Sequence, residues 1–376
     1  MKYINFNNAG SSFLQSNTIN AINNYIKNEN KYGGYYTQDI FENKISKFYK
    51  NAAYLINCKP NNISFIQNTT LGWNFLLESI NFKKNSNIVI FDNEYGSNLI
   101  SLIKKKIEIR ISKLKSNGQF CLHDLKKKIN KNTILINACH IASQCGNVLD
   151  INSLGIFIKK NYPKTFFVID ACQSAGHINL DVKKNHCDAL ITSGRKYLRG
   201  PRGTGFIYLN QYFRKKISPK FLDLSSARIK NKKIEINKNH KIFEVFEFSP
   251  ALKIGLSKSI NNITKFGLRR IEKKNIGLSK RLRKRLENHD VCFLEDSEYL
   301  SGINTMVLKK IDIENLHTYL LKKGILTSIS STQTSTLYFN RIKKKKVLRI
   351  SFHYYNTLTQ VNYLADCIIS FLKKKI

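Results

Sequence analysis

Asp170, Gln173 and Lys196 stand in an order that supports chemistry, within the stretch from Phe166 to Tyr208, FFVIDACQSAGHINLDVKKNHCDALITSGRKYLRGPRGTGFIY. An apolar, β-branched run from Phe166 to Ile169 delivers Asp170, and a second apolar segment from Ala189 to Thr192 delivers Ser193, Gly194, Arg195 and Lys196. Both polar groups are therefore expected at strand ends. In an α/β sheet the ligand crevice lies outside the carboxyl ends of the strands, where side chains from different strands converge. A carboxylate facing a lysine is what pyridoxal phosphate (PLP) catalysis requires: the lysine makes the Schiff base and the carboxylate keeps the pyridinium nitrogen protonated.

The full string resembles the PLP-lysine segment of class V aminotransferases, the family of cysteine desulfurases and isopenicillin N epimerase-like enzymes. The resemblance implies an α/β protein of PLP fold type I. Its large domain holds a mainly parallel seven-stranded sheet flanked by helices, and a smaller α+β domain follows at the C-terminus. On this basis the chain divides into an N-terminal arm (1–15) packing with the small domain, a PLP-binding large domain (16–248) and the small domain (249–376).

The elements that must position the site are readable in order. Tyr3 to Phe6 predicts a short strand, followed by a turn at Asn8, Ala9, Gly10, Ser11 and Ser12 and a helix with apolar positions Ile19, Ile22 and Ile26. A similar Asn-Ala-Gly element lines the substrate side of class V active sites, which implies substrate contacts for Asn8 and Ala9. Gly33 and Gly34 predict a turn, and Ile40 to Leu55 has the apolar spacing of a core helix. Ile63 to Ile66 predicts a strand ending in Gln67, Asn68, Thr69 and Thr70, with a helix from Leu71. A strand, hydroxyl residues and a helix N-terminus form a phosphate cradle, because unpaired N–H groups and the helix dipole face the anion. Simple N-capping explains Thr69 and Thr70 equally well from the residues alone. The resemblance favours the cradle, with Asn68 replacing the glycine of the family's Gly-Thr-Thr loop.

Asn87 to Phe91 predicts a further strand, after which Tyr95 matches the position where desulfurases place a histidine, and related enzymes an aromatic, against the cofactor ring. A tyrosine at a strand end can equally be packing. Thr133 to Ala138 predicts a strand leading to His140 and Ser143; the family's H-x-x-S segment implies a place for Ser143 near the cofactor phenolate oxygen. His140 and His177 read as structural. A helix is expected from Asp150 and Leu154 to about Asn161.

In the opening stretch, the resemblance puts the Gln173 amide near the phenolate oxygen, and Ser193 and Arg195 on the phosphate as a hydroxyl and a charge-assisted donor. Arg195 stands where desulfurases carry histidine, as in many epimerase-like relatives. Gly200 to Gly205 is a glycine-rich turn but not a nucleotide P-loop, since the lysine and hydroxyl required at its end are missing. Arg214 to Lys241 reads as a basic surface excursion. FEVFEFSPALKIGLSKSI resembles the family's entry into its linking helix, where a residue reaches the neighbouring subunit's phosphate site; Ser249 is the candidate. Ile271 to Leu286 predicts an amphipathic helix with a solvated basic face. Leu348 to Thr357 matches the family's R-x-S…Y-N-T strand, whose arginine clamps the substrate carboxylate, a task for a planar bidentate donor; this points to Arg349. The preceding segment, Leu326 to Asn340, takes the place of the family's mobile active-site loop. Desulfurases carry a nucleophilic cysteine there, whereas this chain has none between Cys292 and Cys367.

Composition limits the alternatives. With 376 residues, 42% of them hydrophobic, the chain can bury a substantial core and is not a disordered polymer. No signal-peptide pattern opens it, and no apolar run approaches the roughly 18 residues of a membrane span, so a cytoplasmic protein without a membrane partner is expected. The eight cysteines are scattered without metal-like spacing, and no metal is expected. The net charge of +38 would suit a polyanion partner, but the lysines are spread along the chain with abundant Asn and Ile and no nucleic-acid motif, so no specific nucleic-acid partner is expected.

The reaction the resemblance implies is PLP-dependent chemistry at the α-carbon of an amino acid through a Lys196 Schiff base, with Asp170 and Lys196 catalytic. A C–S or related β-eliminating lyase, or an aminotransferase, is expected, acting as a homodimer on a small amino acid. Cysteine desulfurase-type sulfur transfer is the alternative, and the rival from another class is an inactive polyanion-binding protein that keeps the fold.

Overall fold

Ile63–Ile66, Asn87–Phe91, Thr133–Cys139, Phe166–Asp170 and Ala189–Ser193 are short apolar runs rich in Ile, Val and Phe, and each is a strand with nearly every residue buried. Continuous apolar composition is what a parallel sheet covered on both faces demands. In the computed structural model, which describes residues 3–237, 239–309 and 311–374, these strands join two others in one sheet of seven. Its order is Ile63–Ile66, Gly205–Leu209, Ala189–Ser193, Phe166–Asp170, Thr133–Cys139, Asn87–Phe91, Glu108–Ser112. Gly205–Leu209 runs antiparallel to both of its neighbours, and the remaining pairs are parallel.

The period-two alternation along each strand divides the core in two. Phe167 and Ile169 point into a cluster with Phe48, Ala52, Leu154, Ile158, Leu256 and Ile260, whereas Val168 points into one with Trp73, Leu76, Leu102 and Phe213. Helices therefore cover both faces, and every parallel strand releases its last residue at the same edge.

The C-terminal part builds a second, antiparallel sheet in the order Val291–Phe293, Ile303–Leu308, Lys346–Ser351, Ser328–Ser331. Its own core holds Leu278, Leu282, Met306, Leu320, Ile350 and Ile368. The whole is the α/β arrangement expected: a large, mainly parallel sheet flanked by helices and a smaller α+β unit. The helices Pro250–Phe266 and Leu268–Leu286 meet at Gly267, whose φ of 97° is the left-handed region that favours glycine. Among the described residues, no helix is long and apolar enough to cross a membrane.

Several local expectations change. The first strand is only Ile4–Asn5, paired in parallel with Ile325–Leu326, and the outermost residues of the expected arm and small domain (1–2 and 375–376) lie outside the described residues. Ile19 and Ile26 of the Ser16–Tyr32 helix are exposed in the single chain, where Thr18 and Tyr25 are its buried residues. The basic excursion after Tyr212 contains a hairpin, Ala227–Lys230 against Lys233–Ile236. The stretch from Leu326 to Asn340 is not an open loop. Ser328–Ser331 pairs with Lys346–Ser351, and Tyr338 and Phe339 of the Thr336–Ile342 helix are buried.

Candidate active site

Asp170 and Ser193 are the last residues of neighbouring parallel strands, and the chain turns sharply after Ser193 to present Arg195 and Lys196. A glycine is required in that turn: a Cβ on Gly194 would lie 2.2 Å from Thr204 Oγ1. Main-chain bonds from Gly194 N–H to Thr204 O (2.7 Å) and from Gly200 N–H to Gly194 O (2.8 Å) tie it to the glycine-rich stretch that follows. Arg199 takes a left-handed φ of 53°, held there by bonds from its guanidinium to Phe13 O and the Tyr354 hydroxyl, each 2.8 Å. Lys196 is thereby fixed in a buried position. Burial pushes its ammonium below the ordinary lysine range; Arg195 and Arg349 push the same way, while Cys172 and Asp170 oppose them. A lysine so placed is more readily a neutral nucleophile.

Segments remote from each other in the sequence build an anion cradle. Asn68 caps the Thr69–Ser79 helix, its side chain accepting from Leu71 N–H at 3.0 Å. Its φ of −169° is extended backbone that any residue adopts, so the family's glycine is not needed here. Thr69 Oγ1 and Ser193 Oγ are 2.6 Å apart, and Thr69 N–H donates to Ser193 Oγ at 3.3 Å. Thr70 and Arg195 line the same cleft, and the Arg195 guanidinium also donates to Gly10 O. Hydroxyls, a helix N-terminus and a guanidinium together suit a phosphate.

The cleft, a cavity of about 200 Å³, is further lined by Tyr95, Ser143, Asp170 and Gln173. Asp170 Oδ1 accepts from Cys172 N–H at 2.9 Å, and Oδ2 accepts from Asn98 Nδ2 at 3.2 Å. The Gln173 amide nitrogen donates to Ala9 O at 3.0 Å, which leaves its buried Oε1 as the end without a partner among the described residues. Ser143 Oγ donates to Gln144 Oε1 at 3.0 Å.

Arg349 comes from the second sheet and does not line the cleft itself, but it bonds Ser143, which does. Its Nη1 donates to Ser143 O at 3.2 Å and its Nη2 to Asn7 Oδ1 at 2.9 Å, while the buried Nε makes no hydrogen bond among the described residues. Burial pushes the guanidinium down to about 10, so it stays charged at neutral pH.

Three expected positions, Asn8, Ala9 and Ser249, fall outside the cleft. Asn8 is buried, its amide donating to Asn5 O, Ser351 O and Asn356 Oδ1 and accepting from Ser12 and Tyr355; it ties the N-terminal turn to the C-terminal strand, and its neighbour Asn7 meets Arg349. Ala9 contributes its carbonyl to Gln173 and its N–H to Ser351 Oγ. Ser249 does not line the cleft of its own chain; its hydroxyl caps the Pro250–Phe266 helix through Leu252 N–H. The tyrosine, asparagine and threonine of the Y-N-T element are joints: Tyr355 and Asn356 bond the N-terminal turn, and Thr357 forms a capping box with Gln360.

Sequence reasoning passed over Asn98, Cys139, Gln144 and Cys172, all of which line the cleft. For Asn98 a signal existed, since it follows Tyr95 by one helical turn and so shares its face.

The family model "Aminotransferase class-V" matches residues 4–364. A probable cysteine desulfurase of Borreliella burgdorferi is 30% identical over 396 residues, covering 100% of this chain and 92% of the relative. Among solved structures, the apo cysteine desulfurase of Thermococcus onnurineus NA1 superposes with a TM-score of 0.91 at 24% identity, covering 99% of this chain and 95% of that one. The cystine C-S lyase C-DES, solved with its product cysteine persulfide, reaches a TM-score of 0.87 at 18% identity, covering 97% of this chain and 96% of the other.

Proposed function

The chain belongs to the class V aminotransferase family, and on that premise we propose that it is a PLP-dependent C–S lyase acting on a cysteine-type amino acid. The observation that carries this is the burial of Lys196 and Asp170 in one cleft beside the Thr69–Ser193 cradle. The residues fit the cofactor: hydroxyls and the Arg195 guanidinium at a helix N-terminus for a phosphate, and an acid for a ring nitrogen, whereas the Gln173 NH2 is turned to Ala9 O and not into the cleft.

Bound PLP supplies an electron sink for bond breaking at the α-carbon. Thr69, Thr70, Ser193 and Arg195 would hold its phosphate, Tyr95 would pack against its ring, and Asp170 would keep the proton on the ring nitrogen. Lys196 would be the attachment point and would move the proton at the α-carbon. Arg349 orients the substrate carboxylate; Ser143 O and Asn7 Oδ1 hold the guanidinium plane, and Nε is free to donate.

A β-elimination needs no protein nucleophile. The sulfur leaves as a thiol or sulfide, and the remaining three-carbon fragment hydrolyses to pyruvate and ammonium. The segment from Leu326 to Ile342 contains no cysteine that could accept the sulfur. Sulfur transfer to the protein, as the relatives' name suggests, is the second reading, and it is favoured by Cys139 and Cys172 in the cleft wall.

Incubating the holoenzyme with cysteine, cystine and S-alkylcysteines separates the two readings. Pyruvate and ammonia in equal amounts without protein persulfide support the lyase; alanine with a persulfide on Cys139 or Cys172 overturns it. A homodimer is proposed as the working state, supported by the exposed Ile19, Ile26, Tyr35, Tyr36 and Ile40 on the first two helices, and sedimentation tests it. A reducing, cytoplasmic setting accords with cysteines that are all unpaired.

A further inference from the structure

Glu94 has no place in the chemistry above, yet it is only 1% exposed and makes no ion pair with Lys, Arg or His among the described residues. Its oxygens are surrounded by donors instead. Oε1 accepts from Tyr95 N–H at 2.8 Å, Asn98 Nδ2 at 2.9 Å and Cys139 Sγ at 3.4 Å, and Oε2 accepts from Asn137 Nδ2 at 2.6 Å. The same Asn98 nitrogen donates to Asp170 Oδ2 at 3.2 Å. An amide nitrogen carries two hydrogens, so one side chain serves both carboxylates. The Glu94 carbonyl also accepts from Ser335 Oγ at 2.7 Å, which joins this pair to the segment from the second sheet. Close approach of that segment depends on Gly96, where a Cβ would lie 2.5 Å from Gln333 O.

We propose that Glu94 is a positioning residue for Asp170: through the shared Asn98 amide it fixes the carboxylate that faces the cofactor's ring nitrogen. The proposal rests on the PLP reading of the cleft. Among the described residues, Glu94 is the only acceptor besides Asp170 that bonds the Asn98 amide nitrogen, so without it the amide plane that reaches Asp170 is not held. The closeness of the two carboxylates is also felt electrostatically, since burial first and the Asp170 charge second push the Glu94 carboxyl above its usual range. A glutamine places an NH2 either where Oε1 meets three donors or where Oε2 meets the Asn137 amide nitrogen, so in either orientation one donor is set against another.

The test is a double-mutant cycle in the holoenzyme with Glu94→Gln, Asn98→Ala and Asp170→Asn. Each variant is read by the visible absorption band of the bound cofactor, by cofactor release into cofactor-free buffer, and by kcat and KM. Glu94→Gln and Asn98→Ala should each move the band and lower kcat about tenfold, as expected for one lost hydrogen bond to a charged acceptor. KM should stay within about twofold, and in the Asp170→Asn background either change should add less than about twofold. Equal losses in both backgrounds, or an unmoved band with normal kcat, overturn the proposal. Asn98→Ala leaves the Glu94 carboxylate in place and answers the question if Glu94→Gln does not fold. A wild-type protein that takes up no PLP sinks the cofactor reading and this proposal with it, whereas additivity in a PLP-binding enzyme sinks the proposal alone.

Discussion

Thr69 and Ser193 stand hydroxyl to hydroxyl at 2.6 Å although 124 residues separate them. One begins a helix and the other ends a strand, so the pair exists only because Ile63–Ile66 and Ala189–Ser193 flank Gly205–Leu209 in the sheet. Removing both hydroxyls in Thr69→Ala/Ser193→Ala should weaken PLP binding by roughly ten- to a hundredfold, the loss of hydrogen bonds to a charged group. Equilibrium dialysis reads it, and the absorption band of the cofactor that does bind should stay where it is, because Asp170 is untouched.

Lys196→Ala should lower turnover by about a thousandfold, within the range for a lost acid–base group. Borohydride treatment of the wild-type holoenzyme followed by peptide mapping should place the pyridoxyl group on the peptide containing Lys196. A label on any other lysine contradicts the assignment.

Arg349→Lys keeps the charge but loses the planar fork. With Asn7 and Ser143 holding two nitrogens of the guanidinium, the change should raise KM for the amino acid and lower kcat/KM by roughly ten- to a hundredfold. Steady-state kinetics at fixed, saturating PLP measure it.

His177 lies behind the cleft, stacked on Tyr197 with ring centroids 3.7 Å apart. Its Nδ1 faces Gln173 O at 2.9 Å and its Nε2 accepts from Gly302 N–H at 2.8 Å, so the neutral ring is already satisfied. Burial pushes its protonation down to about 3. An unfolded histidine takes its proton near pH 6.5, so between those values the unfolded chain binds more protons and stability falls as pH falls, by about 1.4 kcal/mol per pH unit. His177→Gln should be less stable at pH 7, yet its stability should decline less steeply between about pH 6 and 4 by one proton. Denaturant melts across that range decide it; parallel slopes for the two proteins would falsify the assignment.

Much of this was legible in the residue string because strand composition and turn chemistry act locally. Ile63 to Ile66 and Asn87 to Phe91 read as strands from their apolar, β-branched content, and both have those bounds. Asp170 and Ser193 were expected at strand ends and stand there. Other features were not legible, because they depend on partners remote in sequence. Asn8 and Asn7 are adjacent asparagines in one turn, and only the bridge from Asn7 to Ser351 decides which of them faces Arg349. The segment after Leu326 is polar enough to read as loop, but pairing with Lys346–Ser351 makes part of it a strand. Glu94 looks like an ordinary surface acid until Asn98, Asn137 and Ser335 close around it.

The stretch from Phe166 to Tyr208 by itself determined where an acid and a lysine would emerge, because apolar runs of that length become buried strands and glycine-rich turns end them. Only the tertiary structure decided what surrounds them: which hydroxyls meet, which asparagine holds Arg349, and that a second buried carboxylate shares an amide with Asp170. Those contacts join segments far apart in the chain, and their geometry is set by strand order in the large sheet and, for Arg349, by how the second sheet packs against it, which local sequence does not encode.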